Sequence, residues 1–317
     1  MNSMTVYFIN WRADYELNMI DYLHKHYQVI NISVPSRYVW IAKKIRKLGV
    51  NTNWLGKIFI REYLRKLEPH DVAVFNDSVI SKGITSEIIA NLECRKVLLL
   101  RNSVDESFIK KHAGSFDFVY DFERKSVNVK NVRHLDQFFP VGLHEVTQCI
   151  SGDRPEGNSL CYFLGKDKNR LKILTELANK LMSYNVTLDF NIVGDSNVEY
   201  DSTYVINKPL SYNENLKRSL ASDIIIDLTQ EYQTGWTLRI LEALYFNKKV
   251  ITNNKNILNS EIYEKERFFI LGYHEWDEFE FFMKVPTQPV AYDVLYQYSP
   301  DRMLDTLIKE LNANNFQ

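Results

Sequence analysis

Cysteine is scarce in this chain: three among 317 residues, Cys94, Cys149 and Cys161, far apart and never in a C-x-x-C spacing. That excludes a disulfide framework and a structural zinc cluster, and it fits a reducing compartment. No run of 18 apolar residues occurs, and the opening MNSMTVYFINWRADYE meets Arg12 before a basic-then-apolar leader can form. Neither a membrane span nor a signal segment is therefore expected. Neither charge is in excess, since 39 Lys and Arg face 40 Asp and Glu for a net of −1, which argues against a nucleic-acid binder. Low-complexity segments and short-period repeats are missing too, which excludes a solenoid. What remains is a soluble, cytoplasmic, globular chain. Its 45% apolar and 25% charged residues suffice for real cores, and its length fits two domains of about 150 residues.

Short apolar runs alternate with amphipathic stretches through both halves. TVYFIN, QVINIS, DVAVFND, KVLLLRN and DFVYDF read as strands of the first half. LCYFLG, TLDFNIVG, TYVIN, DIIIDLT, KKVITNN and RFFILG read as strands of the second. Helical patterns between them predict parallel sheets covered on both faces, an α/β fold of two Rossmann-like lobes. Residues 141–159 lose this rhythm and gather Gly, Pro, Ser and Asn, as a linker does. The expected domains are 1–150, 151–300 and a C-terminal helix over 301–317 that returns to the first domain.

Ligands of open parallel sheets bind beyond the carboxyl ends of the strands, and three such ends in the second half stand out. The weakest is IVGDS (192–196), followed by a loop with Pro209 and Leu210 that could flank a nucleobase, before a helix opened by Tyr212. In FLGKDKNR, Gly165 follows a strand and allows a sharp turn, after which Lys166, Lys168 and Arg170 crowd a helix entrance. A phosphate there gains from these charges and from free backbone N–H groups; the alternative is a solvated basic turn. In QTGWTLRILEAL, a helix is expected from Gly235, with the N–H groups of Gly235, Trp236 and Thr237 pointing outward beside Thr234. Glu242 then lies roughly 8–10 Å further along the axis, the reach from a diphosphate to the ribose of the same nucleotide. Arg239 and Glu242 share a face at i,i+3; the alternative is a surface pair of little energetic weight.

The order of these motifs, G-K-D-K-N-R, then Y-x-x-N-L with S-D-I-I-I-D, then T-G-W-T-L-R-I-L-E-A-L with K-K-V-I-T-N, resembles the donor half of GT-B glycosyltransferases. The likeness runs over about residues 160–255. It is strongest to enzymes of lipopolysaccharide core and capsular polysaccharide assembly in Gram-negative bacteria. The resemblance implies two lobes with an interlobe cleft and a nucleotide-sugar donor. The donor's diphosphate would lie against Gly165, Lys166, Arg170 and the turn Thr234–Thr237, with its ribose on Glu242. Eight residues before Glu242, where many retaining members carry a second glutamate, stands Thr234. No D-x-D is present, so transfer without a metal or other cofactor is expected.

The same resemblance gives the first lobe the acceptor and a catalytic base, which belongs at a strand end. Asp14, after the first strand, is the leading candidate, with N-capping as its alternative role. Asp121 and Asp77 follow, and Glu123 is near. His112, His134 and His144 lack paired ligand spacing. Residues 37–66 hold nine Lys and Arg against one acid, interleaved with Tyr38, Trp40, Trp54 and Phe59. That pattern suits the inner-leaflet membrane surface and a lipid-linked saccharide acceptor; two ordinary surface helices are the alternative. Two other functions stay open, a sugar-nucleotide epimerase and a non-catalytic nucleotide-binding scaffold.

Overall fold

The computed structural model describes residues 4–123, 129–143, 145–146, 158–195, 198–230 and 233–313. The chain divides into two compact units, Met1–Pro140 and Val141–Gln317. The division falls at the first residue of the expected linker, ten residues before 150. Cys149, His144 and Glu231 lie outside the described residues.

The first unit runs β1 (Val6–Ile9), α1 (Asp14–His26), β2 (Val29–Ile32), α2 (Ser36–Lys47), α3 (Asn53–Tyr63), β3 (Val72–Asn76), α4 (Thr85–Asn91), β4 (Arg95–Leu99), α5 (Glu106–Ala113), β5 (Phe118–Asp121) and β6 (Val132–His134). Its strands form one parallel sheet in the order β2-β1-β3-β4-β5-β6. Every residue of β1, β3 and β5 is buried, as a sheet covered on both faces requires. The strand order reverses between β1 and β3, which puts the crevice of this unit at residues 10–16 and 77–78.

The second unit continues with β7 (Leu160–Lys166), α6 (Leu171–Met182), β8 (Thr187–Val193), β9 (Val205–Ile206), α7 (Tyr212–Ala221), β10 (Ile224–Asp227), α8 (Leu238–Tyr245), β11 (Lys249–Thr252), β12 (Phe268–Ile270), α9 (Phe279–Lys284), α10 (Tyr292–Gln297) and α11 (Pro300–Ala313). The sheet order is β12-β11-β10-β7-β8-β9, all parallel. The order reverses at β7 and β10, as in dinucleotide-binding sheets, so the switch point lies between these two strands. In α6, Leu174, Leu177, Ala178 and Leu181 recur at i, i+3, i+4 and i+7 and are all buried. Each leucine there contributes about 1.5–3 kcal/mol by leaving water.

The end of α8 is set by Asn247, whose φ of 52° lies in the left-handed region. The N–H of Lys248 donates to the carbonyl of Ala243 and that of Asn247 to Leu244, a Schellman pair that turns the chain directly into β11. No helix among the described residues is long and apolar enough to cross a membrane.

Candidate functional site

The switch point brings together the two motifs that the sequence keeps about 70 residues apart. Gly165 lies inside β7, paired with Ile192, so it does not make the turn expected of it. Its role is to leave room. A Cβ there would meet Arg170 Nη2 at 3.2 Å and Arg239 Nη1 at 3.3 Å, as well as Phe163 at 3.1 Å. The turn itself is made by Lys168 (φ 46°) and Asn169 (φ 64°), two consecutive non-glycine residues in the left-handed region and hence a constrained loop. Asp167 holds that loop: its Oδ1 accepts the N–H of Arg170 (3.0 Å) and of Leu171 (2.7 Å), and its Oδ2 accepts Tyr200 O–H (3.2 Å).

Both guanidinium groups lie 5.5 Å from the centre of the Phe163 ring. Arg170 donates to Leu228 O (2.7 Å), Asp167 O (3.1 Å) and Lys166 O. Arg239 donates to Leu164 O (3.2 Å) and to Asp227 Oδ1 (3.1 Å). Desolvation and the nearby Arg239 push Arg170 down to about 10, so it stays charged at neutral pH. Lys168 is lowered by desolvation and then by Arg170, Arg239 and Lys166. Cations that disfavour one another's charge in this way form a field that an anion relieves.

The helix after the glycine starts later than its sequence suggests. α8 begins at Leu238, and its N-cap is Thr237, whose Oγ1 accepts from Ile240 N and donates to Asp227 Oδ1 at 2.7 Å. The N–H groups of Gly235, Trp236 and Thr237 are therefore not the first turn of this helix. Gly235 and Trp236 are buried, and the indole N–H of Trp236 has no acceptor among the described residues, an orphan that a buried donor rarely tolerates without a ligand or water.

The alternative reading, an Arg239–Glu242 surface pair, fails, because Arg239 turns to Asp227, a wholly buried acid at the end of β10. Glu242 is 2% exposed. Its Oε1 accepts from Asn215 Nδ2 (2.7 Å) and its Oε2 from Ser219 Oγ (2.8 Å), and Tyr162 O–H in turn donates to Asn215 Oδ1 (3.0 Å). Asn215 and Ser219 sit at i,i+4 on one face of α7. Burial outweighs these two bonds and raises Glu242 to about 7.

A pH dependence follows. The folded state binds this proton more tightly than the unfolded chain, so the contribution of Glu242 to stability is complete below about 4.5 and lost as pH rises through about 7. Urea denaturation of the wild type across that window should show stability falling with pH, and Glu242→Gln should flatten that slope. An unchanged slope in the variant would remove Glu242 as its source.

In the first unit, Asp14 is exposed and is the first residue of α1, while the N-cap is Ala13. The capping is done by Glu16, whose Oε2 accepts from the N–H of Ala13 (3.1 Å) and Arg12 (3.3 Å) and whose Oε1 accepts from Asn76 Nδ2 (2.7 Å). Burial raises the Glu16 carboxyl above the usual range. Asn10, at φ 63°, accepts from Arg12 Nε at 2.9 Å. Asp77 clamps the end of β4 by accepting from Arg101 N (2.6 Å) and Asn102 Nδ2 (2.7 Å). Arg101 is buried, 3.8 Å from the centre of the Phe138 ring. Asp121 is buried at the last position of β5 and accepts from Glu123 N. Sequence reading misses Glu16, Asp227, Asn215 and Ser219. For Asp227 the signal is present, an acid closing an apolar strand opposite a basic loop. Among the described residues, no group of three His, Cys, Asp or Glu could hold a metal ion.

The α/β fold expected from the sequence is thus observed: two six-stranded parallel sheets flanked by helices, each in a Rossmann-like unit. The same arrangement occurs in solved structures. An alpha,alpha-trehalose-phosphate synthase (UDP-forming) from Burkholderia xenovorans is similar over 97% of this chain and 100% of its own, with a TM-score of 0.59 and 10% identity. The N-terminal domain of a trehalose-6-phosphate phosphatase from Candida albicans is similar over 99% and 97%, with a TM-score of 0.52 and 10% identity. A glycotransferase of kitacinnamycin matches at a TM-score of 0.47 and 11% identity, over 97% and 98%. At such identities the likeness concerns the fold alone. No protein-family model matches the chain, and no curated protein matches its sequence.

Proposed function

We propose that this protein is a GT-B glycosyltransferase that moves a sugar from a nucleotide-sugar donor to a lipid-linked saccharide of the lipopolysaccharide core or surface-polysaccharide class. The observation that carries the reading is the convergence, over the bare Cα of Gly165, of two guanidinium groups with Lys166 and Lys168 beside them, at the switch point of a dinucleotide-type sheet. Such an array seats a diphosphate and neutralises it as it leaves, which lowers the barrier to sugar transfer without a cofactor. Thr234, Gly235, Trp236 and Thr237 form the wall facing it. Glu242 is 2% exposed and its two oxygens are held by Asn215 and Ser219, so we assign it to supporting the pocket wall and not to contact with the ribose.

Asp14, exposed at the head of α1, is the proposed general base, and Asp121 is the second candidate. Alanine at the true base abolishes transfer and leaves donor binding intact. Metal-independent chemistry and a cytoplasmic site of action, peripheral on the inner membrane through residues 37–66, complete the proposal.

The decisive test is a thermal and chemical stability screen with nucleoside diphosphates. At a hundredfold excess over Kd, the right nucleotide should add about 2.7 kcal/mol to the stability of the fold. A panel in which no nucleoside diphosphate shifts stability would end the transfer reading.

A further inference from the structure

Among the described residues eleven large hydrophobics are exposed, and five of them fall between residues 40 and 58: Trp40, Leu48, Val50, Trp54 and Ile58. They belong to α2, α3 and the turn that joins these helices. The two helices lie side by side, with Tyr38 of α2 packed edge-on to Phe59 of α3 and its O–H donating to Glu62. Inward they bury Tyr38 and Ala42 from one helix and Leu55, Gly56 and Phe59 from the other. Outward each presents a stripe of one pattern at i, i+3, i+4, i+7: Trp40, Lys43, Lys44, Lys47 on α2 and Trp54, Lys57, Ile58, Arg61 on α3. Leu48 and Val50, 78% and 52% exposed, form the tip between them.

Few charges on this hairpin meet a carboxylate among the described residues, and Lys44 lies 3.8 Å over the centre of the Trp40 ring. Arg37 pairs with Glu62 and Arg46 with Glu87. Lys43, Lys44, Lys47, Lys57, Arg61, Arg65 and Lys66 have no carboxylate partner among the described residues. Lys57 and Arg61 also line a groove of about 550 Å³ between α3 and the end of α4, floored by Ile60, Leu64 and Leu92; Glu93, in the same groove, pairs with neither cation.

We propose that this groove is a binding site for the phosphodiester headgroup of an anionic phospholipid, with the tip and the two tryptophans seated in the interface of the bilayer around it. The complementarity is one of charge and layer. Indole rings favour the headgroup level, cations without a carboxylate partner favour an anionic leaflet, and a groove with one cationic wall on α3 and an apolar floor matches a phosphate on its glycerol stem. The inference rests on the membrane placement proposed above and not on sugar transfer.

The test is co-sedimentation with vesicles of phosphatidylcholine alone and of phosphatidylcholine containing roughly a third phosphatidylglycerol. The wild type should bind only the anionic vesicles, less at high salt. Lys43→Ala with Lys47→Ala, which removes two charges from the α2 stripe, should weaken binding about thirtyfold, at about 1 kcal/mol per cation. Lys57→Ala with Arg61→Ala removes the same charge and the hydrogen bonds to the headgroup, and should weaken binding about tenfold more. Equal losses in the two pairs would overturn the headgroup site, and so would binding to neutral vesicles or no binding at all. The four side chains are exposed, so thermal melting should be unchanged. Nucleoside diphosphate stabilisation measured on the same variants keeps a failure here distinct from a failure of the donor site.

Discussion

Lys166→Ala together with Lys168→Ala should weaken nucleoside diphosphate binding about a hundredfold, roughly tenfold for each charge-assisted hydrogen bond removed. Both side chains are exposed, and Lys168 donates to Gln230 at the surface, so the fold should survive the change. Isothermal titration of the variant against wild type measures the weakening, and its melting curve without ligand checks the fold. Salt should weaken wild-type binding more steeply than that of the variant, because fewer charges then meet the phosphates. The same two lysines are proposed to neutralise the leaving diphosphate, so kcat should fall as KM rises. A variant that binds as the wild type does would place the diphosphate elsewhere.

Asp227→Ala should destabilise the second unit by about 3 kcal/mol, the lower end of what a broken buried ion pair costs. The lower end applies because the Arg239 side chain is 21% exposed and keeps part of its hydration. Three groups are disturbed at once: the guanidinium of Arg239, the hydroxyl of Thr237 and, through that hydroxyl, the cap of α8. Adding Arg239→Met to the same chain should recover a large part of the stability, since no charge is then left without a counter-charge. Urea midpoints of the single and double variants decide the matter. A double variant no more stable than Asp227→Ala alone would show that the damage comes from the cap or from packing.

The strands are legible in the sequence because a parallel sheet covered on both faces needs near-continuous apolar runs, and VYFI, VAVFN and IIID are such runs. β6 escapes notice because an edge strand of three residues, VRH, carries one apolar side chain. The cations of the candidate site are legible as a cluster at a strand end. Their partners are not, because Asp227 meets Arg239 only once α8 has folded back against β10. The start of α8 falls after the expected Gly235 because Thr237, tied to Asp227, accepts from Ile240 N and caps the helix there. Glu242 sits in the apolar run ILEALYF, and that run is itself the mark of burial. What lets a carboxylate stay there is a pair of polar residues on another helix, Asn215 and Ser219.

In the proposed sugar transfer, the charge of the Gly165 crevice also governs how the product leaves. Four cations, Lys166, Lys168, Arg170 and Arg239, face two acids, Asp167 and Asp227, which leaves a surplus of two positive charges for the ligand. A diphosphate esterified at both ends carries a matching charge, but once the sugar has departed it gains a further ionisation. On the proposed function the spent nucleotide should then be held more firmly than the fresh one, so added nucleoside diphosphate should inhibit transfer and product release should limit turnover.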